Sequence, residues 1–336
     1  MYLTALIGFG NISANYADDE KMSEWFQYAS HIQVLKDHPS FEIRAVIEPK
    51  EEARINAIQN WEIPQVHENI DQLKDPDSYE VVVLAIPPKD RLNYILRFPN
   101  LKALVIEKPL AENTEEAQKI ISTCNERGIL GIVNFPRRYD RRILDHLKNL
   151  DLECGLIQGA FAVYGNGLHN NGSHLIDWSR MFLGEVSWVQ SLSSFNSLVQ
   201  GPLKDDINFP FLMGFNSGVI LFSQPLNYRN YRELSLDLWG TKGRLSFIQE
   251  GLLSAFYSVA DHRFSMNNKE IKNDSSLLKI MDQGFSIYNL YDELGDALKN
   301  EKVKIKSDLY NALEVMEIIK NLENSFLNNG EKLYIK

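Results

Sequence analysis

Along the first 135 residues, continuous apolar runs alternate with stretches of helical periodicity. "YLTALIGFG" is a short apolar strand ending in a glycine turn, and a helical region follows to about Lys36. "FEIRAVIEP" is a second strand, with a helix over "KEEARINAIQN" behind it, and "YEVVVLAIPP", "LKALVIEKP" and "GILGIVNFP" are three more. Between the last two, "NTEEAQKIISTCNERG" carries a helix's start and stop signals: Asn113 or Thr114 as the cap, glutamates in the first turn and Gly128 at the end. Unbroken Val/Ile/Leu strands separated by helices belong to a parallel sheet covered on both faces. The predicted fold class is α/β, opening with a doubly wound parallel sheet.

The pattern changes after about residue 134. A basic helix near "RRYDRRILDHLKNL" is followed by strand-like runs at "CGLIQGAFAVYG", "VSWVQSLSSFNS", "FPFLMGFN", "SGVILFSQP", "RELSLDLWG" and "GRLSFIQ". Glycine and asparagine turns separate most of them without helices, which predicts a mostly antiparallel sheet, with "FNSGVI" as a hairpin. Two helices, roughly 285–299 and 307–327, close the chain. We expect two domains, 1–133 and 134–336, which suits a chain of 336 residues.

Composition narrows the partners. Hydrophobic residues make up 44% and charged residues 24%, without a disordered tract, and the formal net charge of -10 opposes nucleic acid and anionic membrane. No run approaches the ~18 apolar residues of a membrane span. Cys124 and Cys154 form no CxxC pair, and the first residues lack a basic leader, so a cytoplasmic setting is expected. His169 and His174 have no HExxH or His–Cys companions, and no metal site is expected.

In doubly wound sheets, ligands bind at the carboxyl ends of the strands. The unusual residues of the first half fall there: "GFGNIS", Glu48, Pro87 and Pro88, "EKP" at 107–109 and "NFPRR" from Asn134. "GFGNIS" has the form GxGxxS, with Gly8 for the turn, Gly10 for close approach of a pyrophosphate and Ser13 for helix–strand packing. Glu48 ends the second strand 38 positions beyond Gly10, further than the usual spacing of about 20. The segment between them, "YADDEKMSEWFQYASHIQVLKDHPS", reads as helical and amphipathic. A carboxylate at 48 accepts hydrogen bonds from a ribose and repels a 2'-phosphate. NAD is therefore expected, with NADP as the alternative because Lys50 lies close by.

"GFGNIS", "AIPP", "EKPL", "NFPRRYD" and "NNGSHLIDWSRMFLGE" stand in the order and spacing of the glucose-fructose oxidoreductase, inositol dehydrogenase and rhizopine-catabolism (Gfo/Idh/MocA) superfamily, which the chain resembles over nearly its whole length. "LWGTKGRLSF" and "DLYNALEVMEIIKNLENS" extend the likeness to the end. The resemblance implies a Rossmann domain followed by an α/β domain with a large open, mostly antiparallel sheet through which such enzymes pair, as homodimers or dimers of dimers. It implies oxidation or reduction of a hydroxyl or ketone on a sugar, cyclitol or nucleotide sugar with NAD or NADP. The cofactor-binding positions it marks are Gly8, Gly10, Asn11, Ile12, Glu48, Ala85, Ile86, Pro87, Glu107, Lys108 and Asn134.

Oxidising a secondary alcohol sends a hydride to the nicotinamide and the hydroxyl proton to a base, and a developing alkoxide needs a positive or hydrogen-bonding neighbour. In the family the matching lysine and histidine point into the site from opposite domains, so the catalytic candidates are Lys108 and His174. We assign His174 to the proton and Lys108 to polarising the oxygen, although a partly buried lysine can exchange those roles. The predicted helix from Ser173 to Gly184 places His174 in its first turn, where the dipole favours neutral imidazole, with Asp177 on the same face. Many relatives carry aspartate four residues before the histidine. Asn170 stands there, so Asp177 is the carboxylate left to support a proton relay.

Candidate substrate contacts are Lys108, Arg138, Tyr164, His169, Asn170, His174 and Asp177, with specificity expected around "YGNGLHNNG" and "QGPLKDDINF". Arg91 stands where relatives often have a histidine near the cofactor, and a cis Lys108–Pro109 bond is expected to aim the lysine. Two other functions fit the same motifs: a glycosidase that oxidises C3 transiently with tightly held NAD, and a non-catalytic dinucleotide-binding sensor.

Overall fold

The structure is a computed structural model that describes residues 1–192, 199–200, 206–272 and 278–335. The last five residues of the predicted strand "VSWVQSLSSFNS" and part of the predicted loop "QGPLKDDINF" lie outside those residues. The chain folds into two compact units, Met1–Tyr139 with Gln283–Leu313, and Asp140–Asp282 with Glu314–Lys336. The single cut expected at 133/134 therefore becomes a discontinuous division.

The first unit contains β1 (Tyr2–Ile7), α1 (Glu20–Ser23), α2 (His31–Asp37), β2 (Phe41–Ile47), α3 (Glu51–Gln59), β3 (Gln65–His67), β4 (Val81–Leu84), α4 (Arg91–Leu96), β5 (Ala103–Ile106), α5 (Thr114–Arg127) and β6 (Leu130–Val133). Its six strands are all parallel, in the order β3-β2-β1-β4-β5-β6, the doubly wound arrangement predicted. Val81–Leu84 and Ala103–Ile106 are buried at every position, as an apolar run covered on both faces requires. Asn113 caps α5 by accepting the Glu116 amide, a contact worth about 1 kcal/mol, and Gly128 ends it in the left-handed conformation.

The 16–40 segment is not one amphipathic helix. It breaks into a 3₁₀ turn at Asn15–Asp18 and the short α1 and α2. The reason lies at Ser30, which with Gln33 forms a capping box and restarts the helix there.

The second unit begins with α6 (Arg141–Lys148), α7 (Leu150–Glu153), β7 (Ile157–Tyr164), α8 (Ser173–Leu183), β8 (Val186–Ser191), β9 (Val199–Gln200) and β10 (Ile207–Asn208). It continues with β11 (Phe211–Phe215), β12 (Ile220–Pro225), β13 (Ser235–Gly240), β14 (Gly243–Ile248), β15 (Leu253–His262), β16 (Ser265–Ile271) and β17 (Leu278–Ile280), and ends with β18 (Leu333–Tyr334). The large sheet runs β16-β15-β14-β13-β7-β12-β11-β8-β18, with β17 on β15, and among its described strands only β12 and β7 pair in parallel. β11 and β12 form the hairpin predicted at "FNSGVI".

The alternation of this sheet gives it one buried face and one open face. Leu221, Leu236, Leu238, Leu245 and Phe247 are buried, and Trp178 and Phe182 of α8 pack on Phe247. On the other face Phe161 and Phe222 stack, each about half exposed, beside a shallow cavity of about 290 Å³.

The two last helices are α9 (Ser286–Lys299) and α10 (Leu309–Leu327). α9 belongs to the first unit because Ile287, Leu290, Tyr291 and Leu294 join Leu6, Val46, Val83 and Val105 in one apolar core. Burial of that stripe, not chain order, decides where the helix goes.

Candidate active site

The strand ends of the first unit form one level rim. Ile47, Ile7, Leu84, Ile106 and Val133, the last residues of β2, β1, β4, β5 and β6, lie side by side in register. Each following residue keeps its amide on a neighbouring strand's carbonyl: Glu48 on His67 at 2.9 Å, Gly8 on Ile47 at 2.8 Å, Ala85 on Ile7 at 2.9 Å, Glu107 on Leu84 at 3.0 Å and Asn134 on Ile106 at 2.9 Å. Five residues expected at the cofactor thus stand in a row, anchored by backbone.

Gly8 has φ +91°, and a Cβ there would come 2.5 Å from the Ala85 carbonyl oxygen, so only glycine fits. A Cβ on Gly10 would meet nothing within 4 Å, which leaves open space beside the loop. Asn11 and Ile12 form the turn that starts there, and the Gly10 carbonyl accepts the Ala14 amide at 2.8 Å. The first amides of such a turn have no carbonyl one turn earlier to bond, which suits an anion. Ser13 is fully buried, as the third small position of the motif requires.

Glu48 is buried, and its carboxylate is divided between two backbone amides. Oε2 accepts Phe9 N–H at 2.7 Å and Oε1 accepts Lys50 N–H at 2.8 Å. Each oxygen keeps lone-pair capacity for a ribose hydroxyl while it fixes the glycine loop.

At the end of β5, the Lys108–Pro109 bond is cis. Glu107 beside it has its carboxylate turned into a buried network. Burial alone would raise that carboxyl, but hydrogen bonds from His31 and Asn134, with the Lys108 charge nearby, hold it below the usual carboxylate range. His31 Nε2 and Asn134 Nδ2 reach Glu107 Oε1 at 2.9 and 2.7 Å, and His31 Nδ1 lies 2.9 Å from the Tyr291 hydroxyl. Asn134 Oδ1 is buried without a hydrogen-bond partner among the described residues.

That unsatisfied acceptor, the open space at Gly10 and the lone pairs of Glu48 fit a dinucleotide. They match a carboxamide N–H, a pyrophosphate and a ribose respectively. Ala85 and Ile86 are partly exposed and Pro87 is exposed on the same rim. Arg138 lies in the turn Pro136–Tyr139 and donates to the Lys306 carbonyl at 3.3 Å, within the first unit.

In the second unit a π-helical turn, Gly167–Gly172, runs directly into α8. His174 is therefore more than one turn inside a continuous helical run and not at its start. This corrects the dipole expectation, because that field falls off within the first turn. π turns recur at functional sites. Here Asp206 and Asn208 hold it. Asp206 Oδ1 accepts His169 N–H at 2.9 Å, Oδ2 accepts Asn170 N–H at 3.1 Å, and Asn208 Oδ1 accepts Gly167 N–H at 2.8 Å.

His174 is partly exposed on α8, and Asp177 is buried one turn later. His169 is exposed, and its bond to Glu323 at 2.7 Å raises its pKa. Tyr164 is not available to a substrate. It is fully buried, its hydroxyl donates to the Phe209 carbonyl at 2.7 Å and accepts the Phe209 amide at 3.0 Å, and burial raises its pKa strongly. The motifs did not point to His31, Asp206 or Asn208. Their partners lie 36 to 260 positions away, and only the polar break "DDIN" between apolar runs hinted at the last two.

Residues 3–135 match the model of an oxidoreductase family with an NAD-binding Rossmann fold, and residues 165–332 match that family's C-terminal alpha/beta domain. The chain belongs to the Gfo/Idh/MocA oxidoreductase family, and its first unit is an NAD-binding Rossmann domain. It is 33% identical over 85 residues to trans-1,2-dihydrobenzene-1,2-diol dehydrogenase of Xenopus tropicalis, a match over 25% of this chain and 26% of that relative. Levoglucosan dehydrogenase in complex with NADH and levoglucosan superposes with a TM-score of 0.75 at 15% identity, over 99% of each chain. A super-repressor mutant of Gal80p from Saccharomyces cerevisiae superposes with 0.76 at 16% identity, over 99% of this chain and 98% of that one. These two likenesses are of fold.

Proposed function

We propose that this protein is an NAD-dependent dehydrogenase or reductase that acts at a hydroxyl or ketone carbon of a sugar, cyclitol or nucleotide sugar. The observation that carries this reading is the level rim on which Gly8, Glu48, Ala85, Glu107 and Asn134 stand in a row, with Lys108 next to Glu107. When bound, NAD supplies the hydride acceptor. The glycine loop takes its pyrophosphate, Glu48 its ribose and Asn134 its carboxamide. Glu48 also disfavours the 2'-phosphate of NADP.

The chain's own groups handle the proton. Lys108 holds the developing charge on the substrate oxygen and His174 exchanges the proton, with Asn170 and Asp177 on the same helical run orienting hydroxyl and imidazole. Arg138 and His169 remain candidate substrate contacts. The diol dehydrogenase relative and the levoglucosan complex support a polyhydroxylated substrate. We also assign pairing of two copies to the open sheet face at Phe161 and Phe222, and a reducing compartment to a chain whose two cysteines are both buried and free. No described helix is long and apolar enough to cross a membrane.

The test is the change in nicotinamide absorbance across a panel of sugars, cyclitols and nucleotide sugars, after NADH binding is established by fluorescence. Turnover abolished by Lys108→Ala and by His174→Ala, with NADH still bound, supports the reading. Tight NADH binding with no turnover on any of the panel overturns it, and favours the non-catalytic dinucleotide-binding alternative.

A further inference from the structure

Arg91 is one of the largest fully buried side chains of the protein, 2% exposed, yet among the described residues no carboxylate bonds it. The two terminal nitrogens of its guanidinium are spent on main-chain carbonyls, while Nε is buried without a hydrogen-bond partner among the described residues. Nη1 donates to Glu107 O at 2.6 Å, to Pro109 O, and to Leu110 O at 3.3 Å, and Nη2 donates to Ile86 O. Burial lowers its pKa to about 10, against the opposing pull of Glu107, which leaves it charged at neutral pH. A buried cation of this kind is costly unless strong acceptors surround it.

The acceptors belong to two places. Ile86 follows β4, on the rim beside Gly8. Glu107, Pro109 and Leu110 follow β5 and flank Lys108 on both sides. Neither stretch is in a regular element, so its carbonyls lack ladder partners and need some other donor. A planar fork serves several acceptors in fixed directions at once, as an ammonium on a flexible stem does not.

We propose that Arg91 is the positioning residue for Lys108: its guanidinium ties the segment that carries the lysine to the Ile86 strand end, so that lysine and cofactor rim hold one geometry. The role deepens the dehydrogenase reading and rests on it for its kinetic consequence alone. A misplacement of the order of 1 Å at a reacting group costs up to about 100-fold in rate. Arg91 touches neither substrate nor cofactor in this scheme, and it acts through the loop.

The experiment compares wild type with Arg91→Lys and Arg91→Ala by hydrogen-exchange mass spectrometry, NADH titration and steady-state kinetics. In Arg91→Lys, peptides covering 107–111 are expected to exchange about tenfold faster, while those of β1 and β2 keep wild-type rates. With a substrate from the panel, kcat is expected to fall roughly 10–100-fold with sugar KM within about threefold of wild type. Millimolar guanidinium or methylguanidinium is expected to restore part of the kcat of Arg91→Ala and none of that of Lys108→Ala. Unchanged exchange at 107–111 in folded Arg91→Lys overturns the clamp, whether or not any substrate has been found. A kcat equal to wild type in that variant, or a KM effect alone, overturns the positioning of Lys108. Absence of turnover in the wild type sinks the dehydrogenase reading while the exchange data still decide the clamp.

Discussion

Replacing Glu48 by glutamine preserves size and shape and should nevertheless damage the protein about as much as alanine. The two carboxylate oxygens accept from two different donors, Phe9 N–H and Lys50 N–H, at 2.7 and 2.8 Å. A glutamine amide has one oxygen. Whichever way it turns, its NH2 faces a backbone N–H. One charge-assisted bond, worth about 1.5–3 kcal/mol, is lost, and the remaining one becomes neutral and weaker. Phe9 is fully buried, so an unpaired amide there costs roughly 1–3 kcal/mol, whereas the Lys50 amide is close to water. Both Glu48→Gln and Glu48→Ala should lose about 2–4 kcal/mol. In a domain of this size that lowers the first unfolding midpoint by roughly 5–15 °C. Removing the negative charge should also shift the ratio of NADP to NAD affinity toward NADP by about tenfold, or ~1.4 kcal/mol. Differential scanning fluorimetry and fluorescence titration with both reduced cofactors measure the two effects. A Glu48→Gln protein within about 0.5 kcal/mol of wild type would refute the divided-carboxylate argument.

Other consequences concern the second unit. Gly167 has φ +94°, and a Cβ there would lie 1.9 Å from Asp206 Oδ2, so Gly167→Ala should displace the carboxylate that holds the turn. Backbone strain of about 1–2 kcal/mol and the loss of buried amide bonds together predict a loss of at least ~3 kcal/mol in urea unfolding. Wild-type midpoints would contradict this. Asp140 caps α6 through Oδ1, which accepts the Arg142 and Ile143 amides, while Oδ2 makes no hydrogen bond among the described residues. Burial raises its pKa from 3.8 to about 6. Between pH 3.8 and 6 the folded state keeps a proton that the unfolded state has released, so this group makes stability fall as pH rises through that window. Asp140→Asn keeps the cap oxygen and removes the titration. Its stability relative to wild type should therefore improve by up to roughly 3 kcal/mol between about pH 4 and pH 7.5, and a difference independent of pH would be the disproof. At the exposed His169–Glu323 pair the raised histidine pKa adds stability below the unfolded pKa that fades as pH rises through the folded value. At an exposed pair this contribution stays small, so Glu323→Gln should change the unfolding midpoint by less than about 1 kcal/mol equivalent at pH 6.

Local signals carried the parts of the fold that local physics decides. The glycine at position 8 was legible because a strand-to-helix turn with φ above zero leaves one residue type, and Asn113 and Gly128 were legible because caps are written within four residues. Strand-like runs separated by glycine and asparagine turns without helices announced the mostly antiparallel sheet of the second half. Where the reading failed, the deciding partner was distant. Tyr164 looked like a polar tip at a strand end near the substrate loop, and its hydroxyl is taken by Phe209, 45 positions later. The helix with His174 looked as though it began at Ser173, because the preceding turn is held by Asp206 and Asn208, which lie some forty positions later. Arg91 looked like a departure from a pattern. Its acceptors become visible only once β4 and β5 are neighbours.

The two units solve one physical problem in the same way. In both units the candidate site residues stand on or next to a break in regular structure: the strand ends in the first, the π turn that precedes α8 in the second. Ending the ladder orphans backbone carbonyls and amides, and in a partly buried place water cannot be relied on to satisfy them. In the first unit the orphans are carbonyls around Lys108, and a guanidinium meets them. In the second they are amides at Gly167, His169 and Asn170, and the Asp206 carboxylate with Asn208 meets them. The charge of each clamp is the one its orphans demand: positive for acceptors, negative for donors. It follows that Asp206→Asn, like Glu48→Gln, should set a donor against a donor and loosen the turn, although it deletes only a charge. The conservative-looking variants are thus the informative ones. They leave volume and packing intact, and any loss in them measures the backbone geometry that the clamp alone was holding.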